Sequence, residues 1–499
     1  MARTLVLTVF FALVSGAAAA SDRIAMVIGM GEYAALPSLA NPIRDAEGVA
    51  STLSQIGFEV ETLVDRPQSE VLAALDRFAF QAETADLALI YFAGHGVQVQ
   101  GENYLLPVDA RVTSNADIAR QSLSLKDFLS AVDRARRMRI VILDACRDNP
   151  FGDFITAADL ASTPTATNTT EEGRSVGGGG LAPPEPERGT LVAYAARDGQ
   201  VALDGVGENS PFAKALIETL PRQGLEISLM FRQVRDKVLD RTSNQQEPYV
   251  YGSLPGLPFY LAGAQEGEPD VVEFDAISAW STLRPEQELQ LVALAEAGDT
   301  RSMVGLAYKR LNAADDFQPE EAYQLFSRAA DAGSPVAQFE LAKLYEKGIG
   351  VEPDRERALE LFHASADEGF ADALNDLGFL YYQGAMGLPT DRERALEYFR
   401  RAADERHPEA QFNFAALIDD GLVPGRGPED AARYVYGSLR SGSERALELL
   451  GSRPTMFSPE TRRALQEVLK EQTFYDGVID GDFGPGTQRG LRAAFGLVE

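Results

Sequence analysis

The sequence contains very little cysteine and histidine. Among 499 residues there are one Cys, Cys146, and three His. A single thiol cannot form an intramolecular disulfide, so no such cross-link stabilises this fold. His95 is the only histidine before residue 363. Any chemistry in the N-terminal half that needs both a thiol and an imidazole is therefore limited to Cys146 and His95.

Long apolar runs are also missing beyond the N-terminus. Residues 1–20 are typical of a secretory leader, with Arg3 near the start, a short apolar run over 5–14 and small residues before a predicted cleavage after Ala20. No later apolar stretch reaches about 18 residues, so we expect a protein that does not span the membrane. The sequence predicts a periplasmic or secreted bacterial protein.

Positive charge is scarce as well. Asp and Glu outnumber Lys and Arg by 75 to 46, which gives a formal net charge of −29. An acidic surface repels nucleic acid and anionic lipid head groups and attracts basic partners, so we expect no nucleic-acid-binding function. The alternative is that this charge only keeps the protein soluble. The chain is also too long for one core, which predicts several domains.

The first domain is predicted over residues 22–263, where strands and helices alternate. This alternation predicts a mostly parallel sheet with helices on both faces. Residues 157–188 interrupt it with a Ser/Thr-, Gly- and Pro-rich mobile insert that cannot build a core. The predicted strands are 23–29, 59–64, 87–92, 140–143 and 190–194, and the predicted helices are 42–56, 69–82 with Ser69 as its cap, 125–135, 210–220 and 227–242.

The two candidate chemical groups follow two of these strands. His95 lies directly after strand 87–92, and Cys146 lies just past strand 140–143. In isolation, a lone His at a strand end is usually an ordinary loop residue, and a lone Cys is usually a small core residue. Because functional loops of a parallel sheet gather at the carboxyl ends of its strands, we expect these two residues side by side.

Residues 22–262 resemble the caspase and metacaspase superfamily, in particular bacterial caspase-like proteins. The matching segments are Tyr91-Phe92-Ala93-Gly94-His95-Gly96, Leu143-Asp144-Ala145-Cys146-Arg147 and Asn209-Ser210-Pro211-Phe212. The spacing of about 50 residues between His and Cys also agrees with caspases. The resemblance implies an α/β caspase-haemoglobinase-type sandwich and a cysteine endopeptidase.

The resemblance also implies the roles of individual residues. Cys146 would be the nucleophile, and His95 would polarise the substrate and protonate the leaving amine. The backbone N–H groups of Gly96 and Cys146 would hold the oxyanion. No acidic cluster clearly matches the metacaspase calcium site, so we expect no metal and no other cofactor.

Two aspartates point to the substrate class. Asp144 replaces the Gln of animal caspases and matches metacaspases, and Asp45 lies where metacaspases carry a second pocket Asp. Two carboxylates would select Arg or Lys before the cleaved bond. Alternatively, Asp45 caps or pairs locally, or Arg44 neutralises it. Asp148 departs from the Gly of caspases in the loop after the nucleophile.

The insert at 157–188 lies where caspases separate their large and small subunits. It carries two basic residues, Arg174 and Arg188. If the enzyme cleaves after basic residues, these are the candidate sites of self-cleavage.

After an acidic linker at 264–284, residues 285–450 contain a repeat with steps of 36 or 37 residues. The pattern resembles the Sel-like subclass of tetratricopeptide repeats and predicts a solenoid of helical pairs that binds a protein partner. Arg406 replaces the Gly of Gly333 and Gly369, so we expect a different turn there. The repeated positions are Ala322, Ala358, Ala395 and Ala431; Ala330, Ala366 and Ala403; Ala337, Ala373 and Ala410; and Gly348, Gly384 and Gly421.

Residues 458–499 resemble the small three-helix peptidoglycan-binding module. The resemblance rests on the Asp480-Gly481 turn and on Gly484-Pro485-Gly486-Thr487. The alternative is a structural cap without affinity for sugar. The sequence as a whole predicts an exported Arg/Lys-directed endopeptidase held near the cell wall. Two other hypotheses remain, a catalytically silent scaffold and a cell-wall remodelling factor.

Overall fold

The computed structural model describes residues 23–99, 102–112, 115–146, 189–197, 202–205, 207–253, 259–263, 285–312 and 317–497. The predicted leader, Asp148, the insert with Arg174 and Arg188, and the linker 264–284 lie outside these ranges. Cys146 is described by its backbone. The chain divides at residue 410 into two compact units.

One sheet organises the N-terminal part of the first unit. Its order is β2-β1-β3-β6-β7-β8, with every neighbouring pair parallel except β7 and β8. Two short strands, β4 and β5, continue from the end of β3 as an antiparallel ladder. The strands are β1 (Arg23–Gly29), β2 (Glu59–Val64), β3 (Leu87–Val99), β4 (Glu102–Leu105), β5 (Leu123–Ser124), β6 (Met138–Cys146), β7 (Thr190–Tyr194) and β8 (Tyr249–Ser253).

Helices cover both faces of this sheet, as the alternating pattern predicted. One core lies between the sheet and α2, α3 and α4, and the other lies between the sheet and α1, α5 and α6. Strands β1, β3 and β6 are buried on both faces, which explains their continuous apolar sequences. The helices are α1 (Pro42–Gln55), α2 (Gln68–Ala82), α3 (Asn115–Gln121), α4 (Leu125–Val132), α5 (Pro211–Thr219) and α6 (Ile227–Arg241).

One local prediction was wrong, and four short elements, α3, β4, β5 and β8, were not predicted. Ser69 does not cap α2, because the helix already begins at Gln68 after an extended Pro67 and has no side-chain cap. Strand β8 was missed, because it is a partly exposed edge strand and its sequence includes Gly252.

The repeats form successive helical pairs, as predicted. Each of the ten repeated alanines is buried, so the small residues lie where neighbouring helices pack closely. Gly348 and Gly384 end their helices in the left-handed conformation, with φ of +68° and +69°. The helices are α7 (Pro285–Glu296), α8 (Thr300–Asn312), α9 (Pro319–Asp331), α10 (Pro335–Lys347), α11 (Arg355–Asp367), α12 (Ala371–Gln383), α13 (Arg392–Asp404) and α14 (Pro408–Asp419).

The turn at Arg406 contradicts the prediction. Arg406 adopts φ +58°, the same left-handed conformation as Gly333 and Gly369. Its N–H donates to the Ala403 carbonyl at 3.0 Å, as the N–H of Gly369 does to Ala366. The turn therefore keeps its conformation and its hydrogen bond even without glycine.

The first repeat helices are tied to α6 by a buried ion pair. Glu226, fully buried at the start of α6, accepts a hydrogen bond from the Ser228 N–H at 2.8 Å. Its other carboxylate oxygen lies 2.6 Å from the guanidinium of Arg301 on α8. Gln287 on α7 donates to the Gly224 carbonyl at 2.5 Å. These contacts fix α7 and α8 against the sheet domain.

The second unit, residues 411–497, has a core of its own. It contains the end of α14 and the helices α15 (Pro428–Arg440), α16 (Glu444–Ser452), α17 (Pro459–Glu471) and α18 (Pro485–Phe495). Buried Gln466 joins the Gly481 N–H and the Thr487 hydroxyl, two positions singled out in the sequence. Two helices lie within 458–497, and α15 of the last repeat completes their core.

Within the ranges that the structure describes, no helix is long and apolar enough to cross a membrane.

Candidate active site

His95 and Cys146 lie on neighbouring central strands. In the parallel pairing of β3 with β6, the two residues are register partners. Adjacent strands run about 4.8 Å apart, so the backbones of the two residues are direct neighbours. Both residues lie within strands and not in loops after them, since β3 continues to Val99 and β6 ends at Cys146. The sequence predicted their proximity correctly.

The His95 ring is buried and oriented by its neighbours. Only 6% of the residue is exposed, and its Nε2 lies 2.9 Å from the Pro37 carbonyl oxygen. A carbonyl can only accept, so Nε2 carries the proton and Nδ1 is free to accept one. Burial lowers the pKa of His95, while the Pro37 hydrogen bond and the charge of Asp204 oppose this effect. The site therefore favours a neutral imidazole.

Tyr33 holds the backbone on which His95 lies. Its hydroxyl accepts a hydrogen bond from the His95 N–H at 2.8 Å and donates to the Leu106 carbonyl at 3.3 Å. The Tyr33 ring also packs against the imidazole, with ring centroids 4.6 Å apart. No sequence pattern indicates this role, because Tyr33 lies far from both motifs in the chain.

The Gly96 N–H points toward the side of the sheet where Cys146 lies. The His95 carbonyl accepts from the Leu106 N–H at 3.0 Å, so it is directed toward the β4 side. In a trans peptide, the C=O of one residue and the N–H of the next point in opposite directions. The Gly96 N–H is therefore turned toward β6, which pairs with the opposite edge of β3.

Asp45 and Asp144 meet at Ser210. Asp45, on α1, accepts from the Ser210 N–H at 3.0 Å and from the Asn209 side chain at 2.9 Å. Asp144, near the end of β6, accepts from the Ser210 hydroxyl at 2.6 Å and from the Tyr91 hydroxyl at 3.1 Å. The Ser210 hydroxyl also accepts from the Ala213 N–H and caps α5, so three elements meet at this residue.

Burial raises the pKa values of both carboxyl groups. The pKa of Asp45 rises to about 6, mainly by desolvation, although hydrogen bonds from Asn209 and Ser210 oppose the rise. The pKa of Asp144 rises to about 7, by desolvation and by the charge of Asp45. A cation entering this site would stabilise both charged forms.

A third carboxylate, Asp204, faces the same pocket. Asp45, Asp144, Asp204 and Ser210 line it together with Ala93, and its volume is about 280 Å³ including the open mouth. Asp204 precedes a glycine in an irregular segment between β7 and α5, which is too weak a signal to identify it from the sequence.

Arg44 does not neutralise Asp45. Its guanidinium donates to the Asn41 side chain and, at 2.7 Å, to the Glu208 carbonyl. The alternative of a local cap at Asp45 also fails in its simple form, because the partners of its carboxylate are Asn209 and Ser210, more than 160 positions away. Among the described residues, no group of three or more His, Cys, Asp or Glu side chains is arranged to hold a metal ion.

Comparison with known proteins agrees with this architecture. The model of the caspase domain matches residues 22–259, and the Sel1 repeat matches residues 312–334, 335–370 and 371–407. The human mucosa-associated lymphoid tissue lymphoma translocation protein 1 is 30% identical over 142 residues, which are 28% of this chain. The chain spans 17% of the length of that protein.

Two solved structures also align with parts of this chain. The Drosophila initiator caspase Dronc is 10% identical, with 49% of this chain and 85% of that chain covered and a TM-score of 0.35. A Sel1 repeat protein from Oxalobacter formigenes is 20% identical, with 42% and 54% covered and a TM-score of 0.32. By the family models, the chain carries a caspase domain at residues 22–259, and Sel1 repeats follow it.

Proposed function

We propose that this protein is an active endopeptidase that cleaves after Arg or Lys. The observation that supports it best is the pocket of Asp45, Asp144 and Asp204 at the same edge of the sheet as His95 and Cys146. Three carboxylates match a guanidinium or ammonium group, and they would repel an acidic side chain.

In the proposed reaction, Cys146 attacks the carbonyl carbon before the cleaved bond as a thiolate. His95 is protonated when the thiol ionises, and it then gives that proton to the leaving amine. The N–H groups of Gly96 and Cys146 stabilise the negative oxygen of the tetrahedral intermediate. Water then hydrolyses the thioester and restores the free thiol.

The pocket favours a substrate residue with a positively charged side chain. Without a cation, desolvation keeps the carboxyl groups of Asp45 and Asp144 partly protonated near neutral pH. Arginine offers five N–H donors in one plane, and binding it would release the bound protons. Affinity for Arg substrates should therefore increase as the pH rises through about 6 to 7.

A covalent probe tests this function. A peptide electrophile with Arg before its reactive group should label Cys146 in the full-length protein, and labelling should be lost in His95→Ala. The matched control probe carries citrulline, which has the shape of Arg without its charge. No labelling under reducing conditions, with or without calcium, would favour the scaffold hypothesis. A preference for Asp in a peptide library would contradict the acidic pocket.

The remaining predictions concern delivery and regulation. We propose that residues 1–20 direct export, that the Sel1 repeats bind a protein partner, and that 458–499 bind peptidoglycan. Pulldown on purified sacculi with and without 458–499 tests the last point, and no difference would favour a structural cap. Self-cleavage at Arg174 or Arg188 predicts two fragments on long incubation, whereas an intact single band would contradict it.

A further inference from the structure

The segment that carries Asp204 is held from both sides by buried side-chain amides. Residues 202–205 lie between Asn41, which is 1% exposed, and Gln246, which is fully buried. Neither amide touches the cleaved bond in the proposed reaction. Their contacts nevertheless determine where the third carboxylate of the pocket lies.

On one side, the end of the Asn41 loop binds the segment directly. The Asn41 side chain donates to the carbonyls of Asp204 and Gly205. The Ala40 N–H donates to the Asp204 carboxylate at 3.1 Å. Since Asn41 is also the residue before α1, this side of the segment is fixed to the helix that carries Asp45.

On the other side, Gln246 joins the segment to the sheet. Its Oε1 accepts from the Leu203 N–H at 3.1 Å, and its Nε2 donates to the Ala195 carbonyl, just past β7, at 2.9 Å. Its own N–H donates to the Thr242 hydroxyl at 3.1 Å. The carboxamide thus donates and accepts at the same time.

A turn with an unusual backbone conformation precedes Gln246 and positions it. After α6, Ser243 and Asn244 adopt φ of +50° and +61°, which are unusual for residues other than glycine. The Asn244 N–H donates to the Leu239 carbonyl at 2.8 Å. This double left-handed turn reverses the chain and brings Gln246 back under the end of β7.

We propose that Gln246 is a positioning residue that fixes Asp204 in the pocket and thereby increases the selectivity for basic substrates. This inference rests on the proposed function. It has a physical basis, because the attraction between two charges depends on their separation and on exclusion of water. The charge of Asp204 also acts on Asp45, Asp144 and His95, so a shift of this segment would be felt across the site.

The test compares the full-length protein with Gln246→Met, which retains length but neither donates nor accepts a strong hydrogen bond. The measurement is the ratio of kcat/KM for matched peptides with Arg or citrulline before the cleaved bond. We expect this ratio to fall about 10-fold, mainly through KM for the Arg peptide. Gln245→Met, at the exposed neighbouring position, is the matched control and should leave the ratio unchanged.

A double-mutant cycle separates positioning from a general structural effect. If Gln246 acts through Asp204, then Gln246→Met should change the ratio less than about 2-fold in an Asp204→Asn background. Independent, multiplicative effects of the two substitutions would overturn the proposal. An unchanged ratio in Gln246→Met alone would also overturn it.

Two further arms keep the outcome decisive. Hydrogen exchange at the Leu203 amide should accelerate at least about 10-fold in Gln246→Met, and unchanged exchange would refute the role of Gln246. This readout needs no activity, so an inactive wild-type protein would defeat the proposed function and leave the positioning role measurable. If Gln246→Met does not fold, Gln246→Glu takes its place, because Glu keeps an acceptor and should retain slow hydrogen exchange at the Leu203 amide. A loss of selectivity for Arg in that variant, with slow exchange retained, would count against the proposal.

Discussion

Replacing Asp144 by Asn should stabilise the protein at high pH while weakening the pocket. Asp144 is only 8% exposed, and its pKa is raised from the ordinary 3.8 to about 7 by burial and by the charge of Asp45. The folded protein therefore binds this proton more tightly than the unfolded chain does. The resulting stability is fully present below pH 3.8 and is lost as the pH rises through about 7.

The magnitude follows from the size of the shift. A rise to about 7 corresponds to about 4 kcal/mol of preference for the protonated carboxyl group above that pH. At about pH 5 the wild-type protein retains most of the stability that the bound proton contributes. The free energy of unfolding of Asp144→Asn, relative to the wild-type protein, should therefore increase by about 2–3 kcal/mol between pH 5 and pH 8. Asn can still accept from Ser210 and Tyr91, so the hydrogen bonds at that position are largely retained.

Urea unfolding of the full-length protein at several pH values measures this difference. Asp240→Asn, which removes an exposed carboxylate on α6, is the matched control. A wild-type-to-variant difference that stays constant with pH would refute the argument from desolvation. The same variant should bind Arg peptides more weakly, so stability and substrate affinity should change in opposite directions.

Three further predictions follow from contacts described above or from backbone geometry. Glu226→Gln leaves the guanidinium of Arg301 buried without its counter-ion and should lower the free energy of unfolding by about 3 kcal/mol in chemical denaturation; an unchanged midpoint would contradict the structural role of this pair. Gly350→Ala should lower the melting temperature markedly, because an added Cβ would lie 2.1 Å from a backbone oxygen. The control Gly333→Ala meets no atom within 4 Å and should lower the free energy of unfolding by only about 1–2 kcal/mol, so equal losses would refute the steric argument. Tyr33→Phe removes the hydroxyl bridge beside the imidazole and should lower kcat about 10-fold with little change in KM, measured on an Arg peptide; a change in KM alone would contradict this role.

The position of His95 next to Cys146 could be predicted because topology alone determines it. Two neighbouring parallel strands carry His95 and Cys146 at the same register position, so the pairing of the strands brings the two residues together. The repeat helices were equally predictable, because small residues at fixed steps are needed where helices cross.

Other features depend on contacts between distant residues, which a single sequence does not reveal. Asp204 enters the pocket because Asn41 and Gln246 hold its segment, and neither amide has a distinctive local pattern. Likewise, Arg406 adopts the left-handed turn conformation that glycine adopts in the other repeats, although local preference disfavours it. At both places, the local sequence alone does not predict the backbone conformation that the structure shows.

The ion pair between Glu226 and Arg301 has a mechanical consequence. A force on α8 would be transmitted through this ion pair to the first turn of α6. That helix leads at its other end to the turn before Gln246, whose side chain bonds to Leu203 and Ala195. The first repeat helices are therefore mechanically connected to the helix that leads to Gln246, the residue proposed to position Asp204.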